Sequence, residues 1–366
     1  MKKVLILSNV TYDLYSMRRE VVQALLDKGF EIIISAIQGQ NTDDFENMGC
    51  RMITSPIDRR GMNPIADLKL ISHYIKIINR NKPDIVLTYT IKPNVYGGIA
   101  CSILDTPYLS NITGLGSAVQ NGGIIRKIST MLYRIGLRKS SCVFLQNKEN
   151  ADFAIRNRIA IGKCRIIPGS GVNLKQHKFE EYPGPNEAIE FVFIGRIMKE
   201  KGIAELFYAA EKIISKYPQI KFNLIGGVEE EYQDKLERCK NQGGIFYYGR
   251  QDDVHSFIKN NHAIVMPSYH EGMSNVLLEA AATGRPILAS NIAGCRETFD
   301  EGISGFGFQV KNADDLTDKL LKFIELPYEE KKTMGKTGRI KMEKEFNREF
   351  VVNAYINEIE KAFDVK

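Results

Sequence analysis

A chain of 366 residues, 43% hydrophobic and 26% charged, has the composition of an ordinary soluble protein and is too long for a single core, so two domains are expected. The six cysteines, Cys50, Cys101, Cys142, Cys164, Cys239 and Cys295, form no C-x-x-C pair, and no segment reaches the roughly 18–20 apolar residues of a membrane span; a zinc site, a redox motif and an integral membrane protein are disfavoured, and free thiols in a reducing cytoplasm fit. The net charge of +6 is uneven: residues 1–170 carry 23 Lys and Arg against 13 Asp and Glu, residues 171–366 carry 27 against 31, so the first half meets an anionic partner or carries a solvated basic surface.

MKKVLILSNV opens with too short an apolar run for a signal peptide and reads as a buried first strand. VLILSN (4–9), a helical stretch from Ser16 to Lys28, EIIISAI (31–37), a helical stretch near Pro64–Arg80, DIVLTYT (84–90), PYLSNIT (107–113), a helix over 124–138 and CVFLQN (142–147) follow in order. The alternation predicts βαβ units, and strands rich in Val, Ile and Leu predict a parallel sheet covered on both faces. In the loop TYTIKPNVYGG (88–98), Lys92 and Asn94 are placed to reach a ligand, although Lys92 is equally a loop lysine before a turn proline. The stretch 124–141 interleaves Ile124, Ile125, Ile128, Met131, Leu132, Ile135 and Leu137 with Arg126, Lys127, Arg134, Arg138 and Lys139. It is either a core-facing helix with a solvated basic face, which the helix by itself favours, or a helix lying on anionic lipid, a reading that gains from the basic charge of this half. No nucleic-acid motif accompanies the charge, which disfavours nucleic acid as a partner.

GSGVNLKQHKF (169–179) and YPGPNE (182–187) read as a linker, dividing the chain at 1–170 and 171–346. The pattern then restarts: IEFVFIGR (189–196), a helix at 201–216, KFNLIGG (221–227), a helix near 229–241, then IFYYGR, HAIVMPS and RPILAS. NREFVVNAYINEIEKAF (347–363) predicts a last amphipathic helix, packed on its own domain or, with the rest of 347–366, crossing back to the first.

Two segments carry chemistry. In GRIMKEKG (195–202), between a strand and a helix, Gly195 permits a tight turn, and Arg196 and Lys201 stand where a diphosphate could lie. In PSYHEGMSNVLLEAAATGRPILAS (267–290), Glu271 and Gly272 precede a helix that Thr283-Gly284 ends. Met273, Ser274, Asn275 and Val276 form the helix mouth, where free N–H groups favour anions. Glu279 lies two turns along among Leu277, Leu278 and Ala280 to Ala282, and a carboxylate so placed needs a partner such as ribose hydroxyls. Two helix mouths at the carboxyl ends of strands make the ligand crevice of an open α/β sheet.

GRIMKEKG, EGMSNVLLEA and TGRPILASNIAG together closely resemble the nucleotide-sugar-binding half of family 4 glycosyltransferases, with Glu271 and Glu279 matching the Glu-x7-Glu motif. The resemblance implies a GT-B fold, two Rossmann-like parallel-sheet α/β domains facing across a cleft. It gives Arg196 and Lys201 the donor diphosphate, Glu279 the ribose, Glu271 the donor sugar, and Gly249 and Arg250 the loop past the base. It implies a metal-independent reaction with a UDP-type nucleotide sugar as substrate and no cofactor. YTIKPN followed by ITGLGS resembles transferases that extend polyprenyl-diphosphate-linked oligosaccharides at the inner face of the bacterial membrane. Lys92, Asn94, Thr113 and Gly114 are then acceptor-side candidates. Two departures stand out. NVTYDLYSMRRE has no glycine where relatives carry a glycine-rich loop, and Thr113 stands where a histidine is expected, none of His73, His177, His255, His262 and His270 being near. A 2-epimerase of the same architecture and a non-catalytic nucleotide-sugar binder are the alternatives; a dinucleotide dehydrogenase lacks its glycine fingerprint.

Overall fold

The computed structural model describes residues 1–58, 63–114, 123–160, 164–229 and 232–364, the side chains of 239–242 excepted. Gly116, in the ITGLGS segment after Asn111, and the Cys239 thiol lie outside the described residues. The chain divides into two compact units, Met1–Ser170 with Glu349–Lys366, and Gly171–Arg348.

The first unit is a seven-stranded parallel sheet of β1 (Lys3–Val10), β2 (Glu31–Ile37), β3 (Arg51–Thr54), β4 (Ile85–Tyr89), β5 (Tyr108–Ile112), β6 (Cys142–Leu145) and β7 (Cys164–Ile166), in the order β3-β2-β1-β4-β5-β6-β7. Val4 and Ile6 enter one core with Leu14 and Val21, while Leu5 and Leu7 enter another with Leu70 and Tyr74; the pleat thus feeds both faces. Right-handed crossovers that step one way from β1 and the other way from β3 put their helices on opposite faces. One face over β4 to β6 therefore receives no crossover helix. The last helix, Arg348–Asp364, covers it: the Tyr355 ring lies 4.3 Å from Phe144, Phe363 stacks on Phe30, and Arg165 pairs with Glu358 at 2.9 Å. β1 runs directly into the helix Thr11–Asp27 through an extended Val10, five residues earlier than the apolar pattern marks. Without an intervening loop there is no left-handed residue to accommodate, which accounts for the missing glycines.

The second unit is a six-stranded parallel sheet of β8 (Glu190–Ile194), β9 (Lys221–Ile225), β10 (Ile245–Tyr247), β11 (Ala263–Met266), β12 (Ile287–Ser290) and β13 (Gly305–Phe308), in the order β10-β9-β8-β11-β12-β13. The order reverses between β8 and β11, the switch point at which carboxyl strand ends open a crevice. Strands β3, β7 and β13, absent from the reading of the sequence, are edge strands of three or four residues, too short to show a period. No helix among the described residues is long and apolar enough to cross a membrane.

Candidate functional site

In the second unit the carboxyl edge is stitched by glycines. Gly195 N–H donates to Ile225 O at 2.9 Å, Gly226 N–H to Gly249 O at 2.8 Å and Ile197 N–H to Gly227 O at 2.8 Å. Gly226 has φ +144, and a Cβ there would lie 1.8 Å from Gly195 O, so only glycine lets the ends of β8 and β9 approach this closely. Beyond Gly195, the turn Lys199–Lys201 leads through Gly202 into the helix Ile203–Lys216. Gly202 is left-handed, with Pro267 O only 2.1 Å from where a Cβ would sit. Tyr269 N–H donates to Glu200 O at 2.8 Å. The KEKG turn is thereby pressed against the PSYHEG loop.

That contact places Lys201 Nζ 2.5 Å from Glu271 Oε1, with the two side chains 19% and 15% exposed. A third loop closes the site. Gly294 packs against Gly272 O and receives the Ser274 N–H at 2.9 Å, while its own N–H donates to Glu297 Oε2 at 2.7 Å. The helix Asn275–Ala282 starts here. Ser274 N–H, expected to be open to an anion, is therefore already spent on Gly294; Asn275 and Val276 supply the first helical N–H groups. Met273 is buried. Three buried polar atoms at this edge, Asn275 Oδ1, Ser268 Oγ and Ser290 Oγ, have no hydrogen-bond partner among the described residues.

The remaining predicted residues are differently placed. Arg196 is half-exposed and its Nη1 lies 2.9 Å from Glu229 Oε2. Arg250 is exposed, immediately after the left-handed Gly249. Glu279 is four-fifths buried with His177 Nε2 at 3.9 Å. Burial raises its carboxyl to about 7, against the opposing field of Arg348. His177 is held by Arg339, which donates to His177 O at 3.0 Å and to Ala282 O at 2.8 Å. Sequence reading missed His177 and Arg348, which lie in segments that read as a linker and a helix start.

In the first unit, Lys92 Nζ is 2.8 Å from Asp67 Oδ1, and Tyr96 donates to the other oxygen of Asp67 at 2.7 Å. Asn94 is fully buried; Thr88 Oγ1 donates to its Oδ1 at 2.7 Å, and its Nδ2 donates to Asn111 O at 2.7 Å. Its amide joins β4 to β5, so Asn94 positions those strand ends instead of reaching a ligand. Thr113 and Gly114 are half-buried just beyond β5. A buried cation that sequence reading did not nominate stands behind this edge: Arg18, its guanidinium 5.8 Å from the Tyr89 ring and 5.7 Å from the Tyr355 ring. It lies on the helix Thr11–Asp27, inside the stretch that the sequence marks only as helical.

The residues 175–341 match the family model of glycosyl transferases group 1, and residues 3–147 match the model described as glycosyl transferase 4-like. A Campylobacter jejuni protein, N,N'-diacetylbacillosaminyl-diphospho-undecaprenol alpha-1,3-N-acetylgalactosaminyltransferase, is 26% identical over 87% of this chain and 88% of its own. The Escherichia coli UDP-Gal:alpha-D-GlcNAc-diphosphoundecaprenol alpha-1,3-galactosyltransferase is 22% identical over 82% of this chain and 81% of its own. Among solved structures, sucrose-phosphate synthase from Thermosynechococcus elongatus superposes with a TM-score of 0.83 at 19% identity over the whole of both chains, which gives the fold as GT-B.

Proposed function

The chain is a glycosyltransferase, a 4-like domain followed by a group 1 domain, and from that premise we propose that it moves a hexose or N-acetylhexosamine, with retention, from a UDP-type nucleotide sugar to a polyprenyl-diphosphate-linked saccharide. Such a reaction belongs to surface polysaccharide or glycan assembly, on the cytoplasmic face of the membrane that holds the acceptor. Both relatives are named for undecaprenol-diphosphate acceptors and alpha-1,3 linkages, which supports the acceptor class and the retained configuration.

One observation carries the reading: the mostly buried Lys201–Glu271 pair, held at the sheet's carboxyl edge beside a helix mouth. A diphosphate entering there competes with Glu271 for Lys201 and with Glu229 for Arg196. It also meets the N–H groups of Asn275 and Val276. Glu271, released from Lys201, turns to the donor sugar. Glu279 accepts from ribose hydroxyls, which give a buried carboxylate the partners it needs. The unsatisfied Asn275, Ser268 and Ser290 atoms suit a polyhydroxylated ligand.

In the chemical step, the acceptor oxygen bonds to the anomeric carbon as the carbon–oxygen bond to the diphosphate breaks. The acceptor's proton passes to the departing diphosphate on the same face, so no protein base is required. Lys201 and Arg196 stabilise the charge that develops, a contribution commonly among the largest in catalysis, and no divalent metal is invoked. Arg196→Ala is expected to lower turnover ~10²–10³-fold; near-normal turnover and donor affinity would remove Arg196 from the site. The reading itself is tested by proton NMR of a UDP-sugar panel with the enzyme. Consumption only when a lipid-diphosphate saccharide is added, giving an α-linked product, is expected. A β-linked product contradicts retention, and an epimerised donor without acceptor identifies an epimerase.

A further inference from the structure

The helix Gly123–Gly136 turns its apolar stripe away from the protein. Ile124, Ile128, Met131 and Ile135 follow the i, i+4, i+7, i+11 spacing of one helical face, and all four are exposed, Ile124 at 76% and Met131 at 61%, with Ile125 exposed beside them. The orientation is fixed by the opposite face. Tyr133 and Thr130 are buried, Tyr108 Oη donates to Gly136 O at 2.7 Å, and a Cβ on Gly136 would lie 2.6 Å from Val95 Cα. Glycine at 136 and at 98, where a Cβ would fall 1.9 Å from Gly136 O, lets the backbones touch and locks the helix about its axis. The stripe is therefore neither core nor accident of a loose helix, and contiguous apolar surface of this kind marks an interaction site.

The charge around it selects the partner. Arg126, Lys127, Arg134 and Arg138 are exposed on or just beyond the helix, and no Asp or Glu occurs from Thr106 to Lys148. A second copy meeting this face by two-fold symmetry would set cations against cations. An anionic bilayer surface accepts both features, apolar residues at the headgroup boundary and cations among the lipid headgroups. We propose that the helix Gly123–Gly136 is a membrane-inserting element that docks the first unit on anionic lipid through Ile124, Ile128, Met131 and Ile135. It follows β5 in the chain, so the docked stripe begins in the connection that leaves the edge carrying Thr113 and Gly114. The inference rests on the proposed lipid-linked acceptor only for the purpose of docking, not for the docking itself.

The test is flotation of the full chain with vesicles of phosphatidylcholine alone or with one quarter phosphatidylglycerol, for wild type and for Ile128→Gln with Met131→Gln. Wild type is expected to float with the anionic vesicles and to remain partly bound at high salt. The double variant should bind at least ~10-fold more weakly, because each apolar side chain withdrawn from the interface forfeits its burial, while its Tm stays unchanged. Wild-type failure to float, or equal flotation of the double variant, overturns the proposal. So does a concentration-dependent dimer of the wild type that the double variant abolishes, since it makes a second copy the occupant. Flotation lost in the variant while no nucleotide sugar is ever turned over would sink the catalytic reading and leave this one standing. Turnover of a water-soluble acceptor by a chain that never floats does the reverse.

Discussion

At the residue scale, the site rests on two carboxylates in different states. Glu271 is neutralised by a lysine 70 residues away in the chain. Glu279 has no such partner at bonding distance among the described residues, and burial lifts its carboxyl from the ordinary 4.5 to about 7. The sign of the consequence follows from proton linkage. Between these two values the native state holds a proton that the unfolded chain gives up, so the contribution of Glu279 to stability is full below about 4.5 and declines as pH rises through about 7. Glu279→Gln should therefore raise Tm by a few degrees at pH 8, on the basis of ~2–4 °C per kcal/mol for a domain this size, and change it little at pH 5, while weakening donor binding. Scanning calorimetry at the two pH values checks this, and equal shifts at both would show that the carboxyl titrates normally. The sequence nominated both glutamates from a motif, because each motif is contiguous. It did not disclose that Lys201 pairs with Glu271, or that His177 and Arg348 neighbour Glu279, because those contacts are made by loops closing over long separations.

At the element scale, the Lys201–Glu271 pair depends on the shape of one turn. Gly202 is left-handed and touches Pro267 O, whereas Gly227 has open space around its Cβ position and an ordinary φ. Gly202→Ala is expected to cost about 1–3 kcal/mol and to lower turnover by detaching the turn from the 267–271 loop. Gly227→Ala should leave stability within about 0.5 kcal/mol. Chemical denaturation of the pair measures the contrast; equal stabilities would show that the turn tolerates a side chain. Longer elements such as EIIISAI could be read from the sequence because their apolar runs have length. Arg51–Thr54 and Cys164–Ile166 are too short and lie at sheet edges, where one neighbour and partial exposure blur the pattern. The helix Gly123–Gly136 shows a different limit. Its spacing revealed an apolar stripe, but a stripe facing a core and one facing lipid have the same period. Only the burial of Tyr133 and the Gly98–Gly136 contact orient it.

At the scale of the whole molecule, each unit is a doubly wound parallel sheet, and the chain returns to the first with its last helix because one face of that sheet has no crossover of its own. The alternation of strands and helices made two such sheets legible. The return could be read only as an alternative, since an amphipathic helix does not name the surface it covers. Chemistry is likewise divided: the residues proposed for the donor all belong to Gly171–Arg348, while Thr113, Gly114 and the exposed apolar helix belong to Met1–Ser170. The donor-site assignment is tested most directly by acceptor-dependent release of UDP from the preferred UDP-sugar, comparing wild type with Lys201→Met at matched Tm. It predicts that wild type releases UDP only with a polyprenyl-diphosphate saccharide present, and that Lys201→Met is slower by ~10²–10³-fold; a variant that releases UDP at the wild-type rate would contradict it.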